Sequence, residues 1–294
     1  MNLVVGIATS GRAEQIKLTL AQLAQQTRRP SRVVICPALE ADYDDTFIGH
    51  MPFPITVVRG PRGLPAQRNC ILAACTATDL LVFFDDDFYP APDYLQEVDD
   101  LMMNNPKIVL ARGEALADGA TGPGIEHEEA LRLISSIAAK ARPPAIVKDV
   151  YGAYGCNMTV RLAPVIAHGL RFDENLPLYG WLEDIDFSRS IAPYGRVVHS
   201  TLLRGVHLGT KRGRTSGFKL GYSQIANPLY MLRKGTLTRS YAFRQMGRNV
   251  ARNISRGFVP EPWVDRRGRL KGNLRALTDL LRGNLDPKNI LTLE

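Results

Sequence analysis

Long apolar runs, closely paired cysteines and a secretory leader are all missing from this sequence of 294 residues. No apolar run approaches the roughly 20 residues that a membrane-spanning helix needs. The four cysteines include no CxxC pair, which argues against a zinc knuckle or a thioredoxin-like motif and favours reduced thiols. The N-terminus lacks a basic segment followed by an apolar core, so no signal peptide is predicted. These absences predict a cytoplasmic protein and leave open a peripheral position on the inner face of the cell membrane.

Acidic residues are scarce late in the chain. Between Arg204 and Lys271 there are sixteen lysines and arginines but only two acids, within a formal net charge of +8. A segment this basic suggests an anionic partner, which could be a substrate phosphate, lipid head groups or nucleic acid.

One predicted helix of the basic segment carries arginines on one side and apolar residues on the other. The arginines are Arg244, Arg248, Arg252 and Arg256, and the apolar residues are Phe243, Met246, Val250 and Ile254. Such a helix can lie on an anionic membrane surface, or it can pack its apolar side on the protein core. The sequence does not decide between these two arrangements.

The chain is organised around residues 80–90, where five apolar residues end abruptly at Asp85, Asp86 and Asp87. The apolar run predicts a strand buried on both faces, as in a parallel sheet. The carboxyl ends of such strands bind ligands in open α/β sheets, and three adjacent carboxylates repel one another unless a cation or donors are near. Magnesium sites often combine carboxylates with substrate phosphates. The stretch therefore predicts a metal–diphosphate site rather than a solvated acidic turn.

Strand-like and helix-like segments alternate through most of the chain. Buried strands are predicted at residues 3–8, 32–36, 55–58, 80–84 and 107–112, and shorter strands at 158–161, 197–199 and 203–207. This alternation predicts an α/β fold with a doubly wound, mostly parallel sheet and a basic helical extension at the C-terminus. We expect a main domain at 1–235, with halves at 1–115 and 116–235, and the extension at 236–294.

Other polar residues could meet the acid triplet in space. Glu183 and Asp184 open a predicted helix, where they either complement the helix dipole or supply a general base. His207 could complete a metal site by its imidazole, although a lone histidine is more often a core or surface residue. Arg12 could face a diphosphate, and Arg68 could hydrogen-bond a base or a phosphate.

In their order and spacing these pieces resemble the family 2 glycosyltransferases, which have the GT-A fold, a Rossmann-like sheet flanked by helices. The resemblance covers about residues 1–235. The matching segments are IATSGR at 7–12, QRNCILAA at 67–74, FFDDD at 83–87, GCNMTVR at 155–161, GWLEDID at 180–186, and His207. It implies an inverting, metal-dependent hexosyltransferase that uses a nucleotide-sugar to extend an exopolysaccharide or a lipopolysaccharide.

The resemblance also implies a role for each matching residue. The donor-binding residues would be Thr9, Arg12, Arg68, Asp85 and Asp86. Asp87 would bind manganese or magnesium, with Asp85 and His207 as further metal ligands. Asp184 would be the catalytic base and Glu183 would help to orient the acceptor, which Trp181 and Asn157 would contact. The acceptor would be a glycan or a lipid-linked glycan.

One segment departs from the family pattern. After the second strand, where an acidic turn usually reads uracil, this chain has Cys36, Pro37, Ala38 and Leu39. Glu40 and Asp42 follow and could substitute for that acid. UDP is therefore the expected nucleotide, and GDP and dTDP stay open.

Three other functions fit parts of the sequence. A sugar nucleotidyltransferase would need a Gly-rich phosphate loop directly after the first strand, where TSGR is a poor match. A nucleic-acid-binding protein would use the basic segment, which has few aromatic residues and no known binding motif. A pseudo-enzyme would keep the fold as a partner-binding module. We therefore expect a glycosyltransferase that does not bind nucleic acid.

Overall fold

A computed structural model of the chain describes residues 2–44, 49–213 and 215–293. The strands in this part are β1 (Asn2–Thr9), β2 (Arg32–Pro37), β3 (Ile55–Val57), β4 (Asp79–Asp85), β5 (Phe88–Pro90), β6 (Ile108–Asp118), β7 (Val147–Asp149), β8 (Asn157–Arg161) and β9 (Arg196–His207). The helices are α1 (Ala13–Ala24), α2 (Leu64–Ala73), α3 (Tyr94–Asn104), α4 (His127–Ala138), α5 (Leu162–Ala167), α6 (Glu183–Ile191), α7 (Gly217–Lys234), α8 (Arg239–Gly257) and α9 (Arg266–Leu281).

These strands form one sheet in the order β3-β2-β1-β4-β8-β6-β9-β5, with β7 paired to β9. In the first half, β1 runs parallel to both β2 and β4, and β2 runs parallel to β3. Ala8 lies beside Cys36 on one side and beside Asp85 on the other. The carboxyl ends of three neighbouring strands therefore meet at one edge, and the acid triplet lies at that edge.

The second half of the sheet is mixed. β8 is antiparallel to both β4 and β6, and β5 and β7 are antiparallel to β9. The two short strands predicted at 197–199 and 203–207 are parts of one strand, β9, whose pairing with β6 shifts register along its length. Apolar runs indicate burial but not strand direction, so the sequence could not show this mixture. The predicted α/β class is confirmed.

Apolar layers cover both faces of the sheet. On one face, Ile16 of α1 and Val98 of α3 pack in the cluster that contains Phe84. On the other face, Ile71 of α2 packs in the cluster that contains Phe83. Successive side chains of β4 alternate between the two layers. β4 is therefore buried on both faces, as predicted, and its apolar run ends where the polar site begins.

The last three helices share an apolar cluster that contains Tyr222 of α7, Met246 of α8 and Ala276 of α9. α7 and α9 approach so closely that a Cβ atom on Gly272 would lie 2.0 Å from the carbonyl oxygen of Phe218. The helical part therefore begins with α7, at Gly217. The boundary at residue 235 stays a prediction, and in the structure α7, which precedes it, packs with α8 and α9, which follow it.

Lys234, at the end of α7, ties the helical part to the sheet. It donates to Asp173 Oδ2 at 2.7 Å and to Asp186 Oδ2 at 2.6 Å. The Asp186 carboxylate is fully buried and that of Asp173 is 9% exposed, and Asp186 also accepts a hydrogen bond from the Thr236 hydroxyl at 2.5 Å. The single positive charge of Lys234 thus compensates the carboxylates of Asp173 and Asp186, which lie outside the helical part.

Candidate active site

The acid triplet turns the chain between β4 and β5, and its side chains point to two sides. Asp85 is the half-buried last residue of β4, whereas Asp86 and Asp87 are buried. Asp85 and Asp87 both lie near His207. Asp86 turns instead towards the segment after β1. The three carboxylates therefore have different surroundings although they are adjacent in sequence.

Asp86 is held by two donors, one from the last residue of β1 and one from the segment that joins β1 to α1. The Thr9 hydroxyl donates to Asp86 Oδ2 at 2.6 Å, and Arg12 Nη1 donates to Oδ1 at 2.7 Å. Arg12 also donates to the carbonyl oxygens of Thr210 and Arg212, which follow β9. Burial raises the pKa of Asp86 to about 6, although the Arg12 charge opposes this shift. Thr9, Arg12 and Asp86 therefore bind one another and support the triplet, and their contact with the donor stays a prediction.

Asp85, Asp87 and His207 form a group whose potential ligand atoms lie within 4.8 Å of one another. His207 Nε2 is 3.3 Å from Asp87 Oδ1 and 3.8 Å from Asp85 Oδ2. Among the described residues, the buried Asp87 Oδ1 makes no hydrogen bond of good geometry, and the His207 imidazole is the positive charge that faces it. Two carboxylates and one imidazole suit a hard divalent cation. These residues therefore fit Mg²⁺ or Mn²⁺.

Asp118 and Tyr154 fix the orientation of His207. His207 Nδ1 lies 2.9 Å from Asp118 Oδ1, and the Tyr154 hydroxyl donates to Asp118 Oδ2 at 3.0 Å. Burial opposes a charge on His207, but Asp118 and Asp87 outweigh it and raise the pKa of the imidazole to about 10. A carboxylate on one ring nitrogen, with the other nitrogen directed at the ligand group, is the arrangement that orients metal-binding histidines.

Arg68 and Glu183 form a buried ion pair between the two acidic clusters. Arg68 Nη2 also donates to the Gly155 carbonyl oxygen at 2.8 Å and approaches Asp85 Oδ1 at 3.3 Å. Burial raises the pKa of Glu183 to about 8, although Arg68 opposes this shift. In the structure Glu183 is the counter-ion of Arg68, and its role in orienting the acceptor stays a prediction. The guanidinium of Arg68, predicted to face a base or a phosphate, is surrounded by these protein partners.

Asp184, the second residue of α6, is half-buried. Its Oδ2 accepts from the Gly155 N–H at 2.9 Å, and its Oδ1 accepts from the Ile185 N–H at 2.8 Å. Burial raises the pKa of Asp184, opposed by the Arg68 charge and by these two hydrogen bonds. Leu182, just before α6, has a φ of 73°, a left-handed conformation that leucine rarely adopts. A strained turn and two backbone donors thus fix this carboxylate.

A cavity of about 280 Å³ joins the two acidic clusters. Asp85 and Asp184 both line it, so the structure brings together residues from β4 and α6 that lie far apart in sequence. Four aromatic residues contribute to its wall: Tyr154, Tyr179, Trp181 and Tyr241. Tyr241 belongs to α8, so the helical part supplies a portion of the wall.

A family match agrees with this geometry. Residues 4–163, more than half of the chain, match the family described as Glycosyl transferase family 2. The chain belongs to this family. It is therefore a glycosyltransferase, and the resemblance found in its sequence motifs is confirmed.

Solved structures of other glycosyltransferases share the fold. Residues 1–349 of S. aureus TarS, in complex with UDP-GlcNAc, are 16% identical, with a TM-score of 0.56 and coverage of 99% of this chain and 83% of that chain. The mannosyltransferase PcManGT from Pyrobaculum calidifontis, in complex with GDP-Man and Mn²⁺, is 16% identical, with a TM-score of 0.57 and coverage of 99% and 85%. The longer TarS structure is 15% identical with a TM-score of 0.56; the match covers 97% of this chain but only 53% of that chain. No curated protein sequence matches significantly.

The two predicted acceptor residues of this glycosyltransferase have different positions. Trp181 lines the cavity. Asn157, the first residue of β8, is fully buried and does not line it. Both polar side-chain atoms of Asn157 lack a hydrogen-bond partner within the described ranges. Direct contact between Asn157 and an acceptor is therefore not supported by its position.

The two acids proposed to read the nucleotide base also differ. Asp42 is buried and accepts from the backbone N–H groups of Gly11 and Leu39, at 2.7 and 3.0 Å. Glu40 is exposed and forms an ion pair with Arg59. Asp42 therefore holds the loop after β2, and Glu40 is the acid that is accessible to a ligand.

Sequence reasoning missed Asp118, Tyr154 and Thr210. The Thr210 backbone N–H donates to Asp87 Oδ2 at 2.7 Å, which leaves Oδ1 facing His207. Asp118 precedes a Gly-rich stretch in the sequence, and in the structure it ends β6 and lies opposite His207 in the β6–β9 register. A carboxylate at a strand end was the available signal. The strand pairing that gives it meaning is not visible in the sequence.

Proposed function

We propose that this glycosyltransferase moves a sugar from a nucleotide-sugar to a hydroxyl acceptor, with inversion and with a divalent cation at Asp85, Asp87 and His207. The observation that carries the proposal is that Asp85 takes part in two features of the site. It belongs to the group of potential metal ligands and also lines the cavity that contains Asp184. A metal-dependent transfer needs a cation at the leaving group and a base near the acceptor hydroxyl.

The ligand group is suited to one cation. A bound Mg²⁺ or Mn²⁺ would neutralise the negative charge of the departing nucleoside diphosphate. Asp87 would offer Oδ1, since Oδ2 already accepts from the Thr210 N–H. His207 would offer Nε2, since Nδ1 faces Asp118. The contacts with Thr210 and Asp118 therefore leave one possible metal-ligand atom on Asp87 and one on His207.

Asp184 would act as the catalytic base. Its two backbone hydrogen bonds fix its orientation, and its burial raises its pKa, which makes it a better proton acceptor. The acceptor oxygen would form a bond to the anomeric carbon as the bond to the diphosphate breaks on the opposite face. The proton of the hydroxyl would pass to the carboxylate. The configuration at the anomeric carbon would be inverted.

The proposed substrates are a nucleotide-sugar donor, suggested by similar solved structures, and a glycan acceptor, suggested by the cavity wall. The similar solved structures contain UDP-GlcNAc or GDP-Man, and UDP is our first expectation for this chain. The acceptor would be a growing exopolysaccharide or lipopolysaccharide glycan, carried on lipid at the cytoplasmic face of the membrane. Trp181 and Tyr241 support a glycan acceptor by offering apolar surface next to Asp184 in the cavity wall. Residues 1–115 would hold most of the donor and residues 116–235 most of the acceptor.

The test is a panel of UDP-, GDP- and dTDP-sugars, each with and without Mn²⁺. We expect one nucleotide class to raise the melting temperature only when the cation is present, and the same donor to be hydrolysed slowly to nucleoside diphosphate and sugar. A separate assay with a nucleoside triphosphate and a sugar 1-phosphate tests the alternative, because release of pyrophosphate from that pair would identify a sugar nucleotidyltransferase instead. A folded preparation without cation-dependent affinity for any nucleoside diphosphate would refute the proposal.

A further inference from the structure

Helix α8 buries only a narrow side. Ala242, Met246 and Asn253 are buried, and Met246 belongs to the cluster shared with α7 and α9. Val250 is partly buried against the same cluster. The apolar residues predicted to form one face therefore separate: Met246 and Val250 face the core, whereas Phe243 and Ile254 do not.

A second apolar strip of α8 faces outward. The exposed fractions are 59% for Phe243, 47% for Ile254 and 81% for Phe258, the residue that caps the helix. With 3.6 residues per turn, these three positions fall within about 60° of one another around the helix axis. Val259 follows directly and is 76% exposed. Large apolar side chains grouped in this way are uncommon on a surface that meets only water.

The arginines of α8 flank this strip. They are Arg244, Arg248, Arg252 and Arg256, and all four are exposed. At 100° per residue, Arg244 and Arg248 lie about 40° and 80° beyond Phe258, and Arg252 and Arg256 follow at about 120° and 160°, where the exposed side ends near Ala242. The helix contains no acidic residue. We call the exposed apolar strip and these four arginines the α8 face.

We infer that the α8 face docks on an anionic lipid surface, with the apolar strip at the head-group boundary and the arginines on the lipid phosphates. This arrangement is typical of helices that lie in the plane of a membrane interface. In the part of the chain that the structure describes, no helix is long and apolar enough to cross a bilayer. The inference deepens the proposed function, because it names the surface that would bring the cavity to a lipid-linked acceptor.

The residue types favour lipid over nucleic acid. A nucleic-acid surface would be served by the arginines together with aromatic side chains that stack on bases. The α8 face adds Ile254 and Val259, aliphatic side chains that gain free energy in an acyl environment and not by stacking on bases. Tyr241, which lines the cavity, also belongs to α8. Docking by this helix would therefore place the cavity close to the membrane.

The test is flotation of the full chain with vesicles of phosphatidylcholine, either alone or mixed with phosphatidylglycerol. We expect binding only to the mixed vesicles. Because each arginine near an acidic membrane contributes about 1 kcal/mol, the triple variant Arg248→Gln, Arg252→Gln, Arg256→Gln should bind about 100-fold more weakly. The matched control removes three exposed cations far from α8 in sequence, Arg29→Gln, Lys140→Gln and Lys148→Gln. It should bind within about two-fold of the unaltered chain, because these three cations do not belong to the α8 face.

A second variant tests the apolar strip. Phe243→Ser with Ile254→Ser and Phe258→Ser keeps every charge and should weaken binding to the mixed vesicles by about ten-fold or more. All three side chains are exposed, so the melting temperature should stay unchanged. Equal losses for the α8 triple and the control triple would overturn the inference. So would strong binding to a single-stranded oligonucleotide combined with no affinity for acidic vesicles.

The donor measurements separate this inference from the proposed function. A chain that binds a nucleotide-sugar with Mn²⁺ but ignores acidic vesicles would refute the membrane face alone. A chain that binds acidic vesicles through α8 but shows no cation-dependent nucleotide affinity would refute the proposed function alone.

Discussion

Substitution of Asp87 by Asn is the sharpest test of the metal site. The change keeps the shape of the side chain and an oxygen that can accept from the Thr210 N–H. It removes the negative charge and places an amide nitrogen where the structure has the buried Oδ1 that faces His207. An amide N–H₂ repels a cation, so the group formed by Asp85, Asp87 and His207 loses one of its two anionic ligands.

The expected loss of metal affinity can be estimated from the role of Asp87 as a direct ligand. Loss of a residue that only orients a metal ligand already lowers metal affinity by about 10–100-fold. Loss of a direct ligand should therefore cost at least about 100-fold, which corresponds to about 2.7 kcal/mol. We expect Asp87→Asn to weaken Mn²⁺-dependent binding of the nucleoside diphosphate by this factor or more.

The adjacent residue supplies a matched control. Asp86→Asn removes the same charge one position away, but Asp86 faces Thr9 and Arg12 and not the ligand group. It should lower the free energy of unfolding by about 2–3 kcal/mol, because it weakens a buried hydrogen bond to a charged group. Its metal-dependent nucleotide affinity should remain within a few-fold of that of the unaltered chain, since the ligand atoms are unchanged.

Titration calorimetry with Mn²⁺ and the nucleoside diphosphate measures both variants, and thermal melts without ligand report their stability. The reasoning fails if the two substitutions reduce cation-dependent affinity equally. It also fails if Asp87→Asn binds Mn²⁺ and nucleotide like the unaltered chain, because the ion would then lie elsewhere.

Further predictions concern the base and the contact between the sheet and the helical part. Asp184→Asn should keep the donor affinity but lose transfer, and near-normal turnover would exclude Asp184 as the base. Lys234→Met should lower the free energy of unfolding by about 2 kcal/mol, since it leaves Asp173 and Asp186 without their cation, while Lys234→Arg should recover most of the loss in the same denaturant titration. Burial alone would raise the pKa of Asp173, but the hydrogen bonds from Lys234 and its neighbours lower it. The contribution of the Asp173 carboxylate to the free energy of unfolding is therefore complete above the ordinary aspartate pKa. It should be lost as the pH falls through the lowered pKa of Asp173. In Lys234→Met this dependence of stability on pH should be absent.

The sequence predicted the architecture well where burial is continuous. The run before Asp85 predicts a strand with both faces covered, and the structure covers them with two apolar layers. The same reasoning did not yield strand direction, the pairing of β6 with β9, or the place of α7, because each depends on contacts between segments far apart in the chain.

The candidate site shows the same division. Asp85, Asp87, Asp184 and His207 could be selected from the sequence, because acids after a buried strand and a family-like spacing are local signals. Asp86 could not be distinguished from its neighbours, since only the folded chain shows that Thr9 and Arg12 occupy both of its oxygens.

By itself the sequence determined that a buried strand ends in carboxylates and that a basic helical segment lies late in the chain. Both features can be read from the apolar and charged residues of one short stretch. The tertiary structure decided which carboxylates face a common point. Asp118 reaches His207 across 89 residues only through the register of two strands. It also decided which side of α8 is exposed, because packing against α7 and α9 selects one side and leaves Phe243 and Ile254 on another.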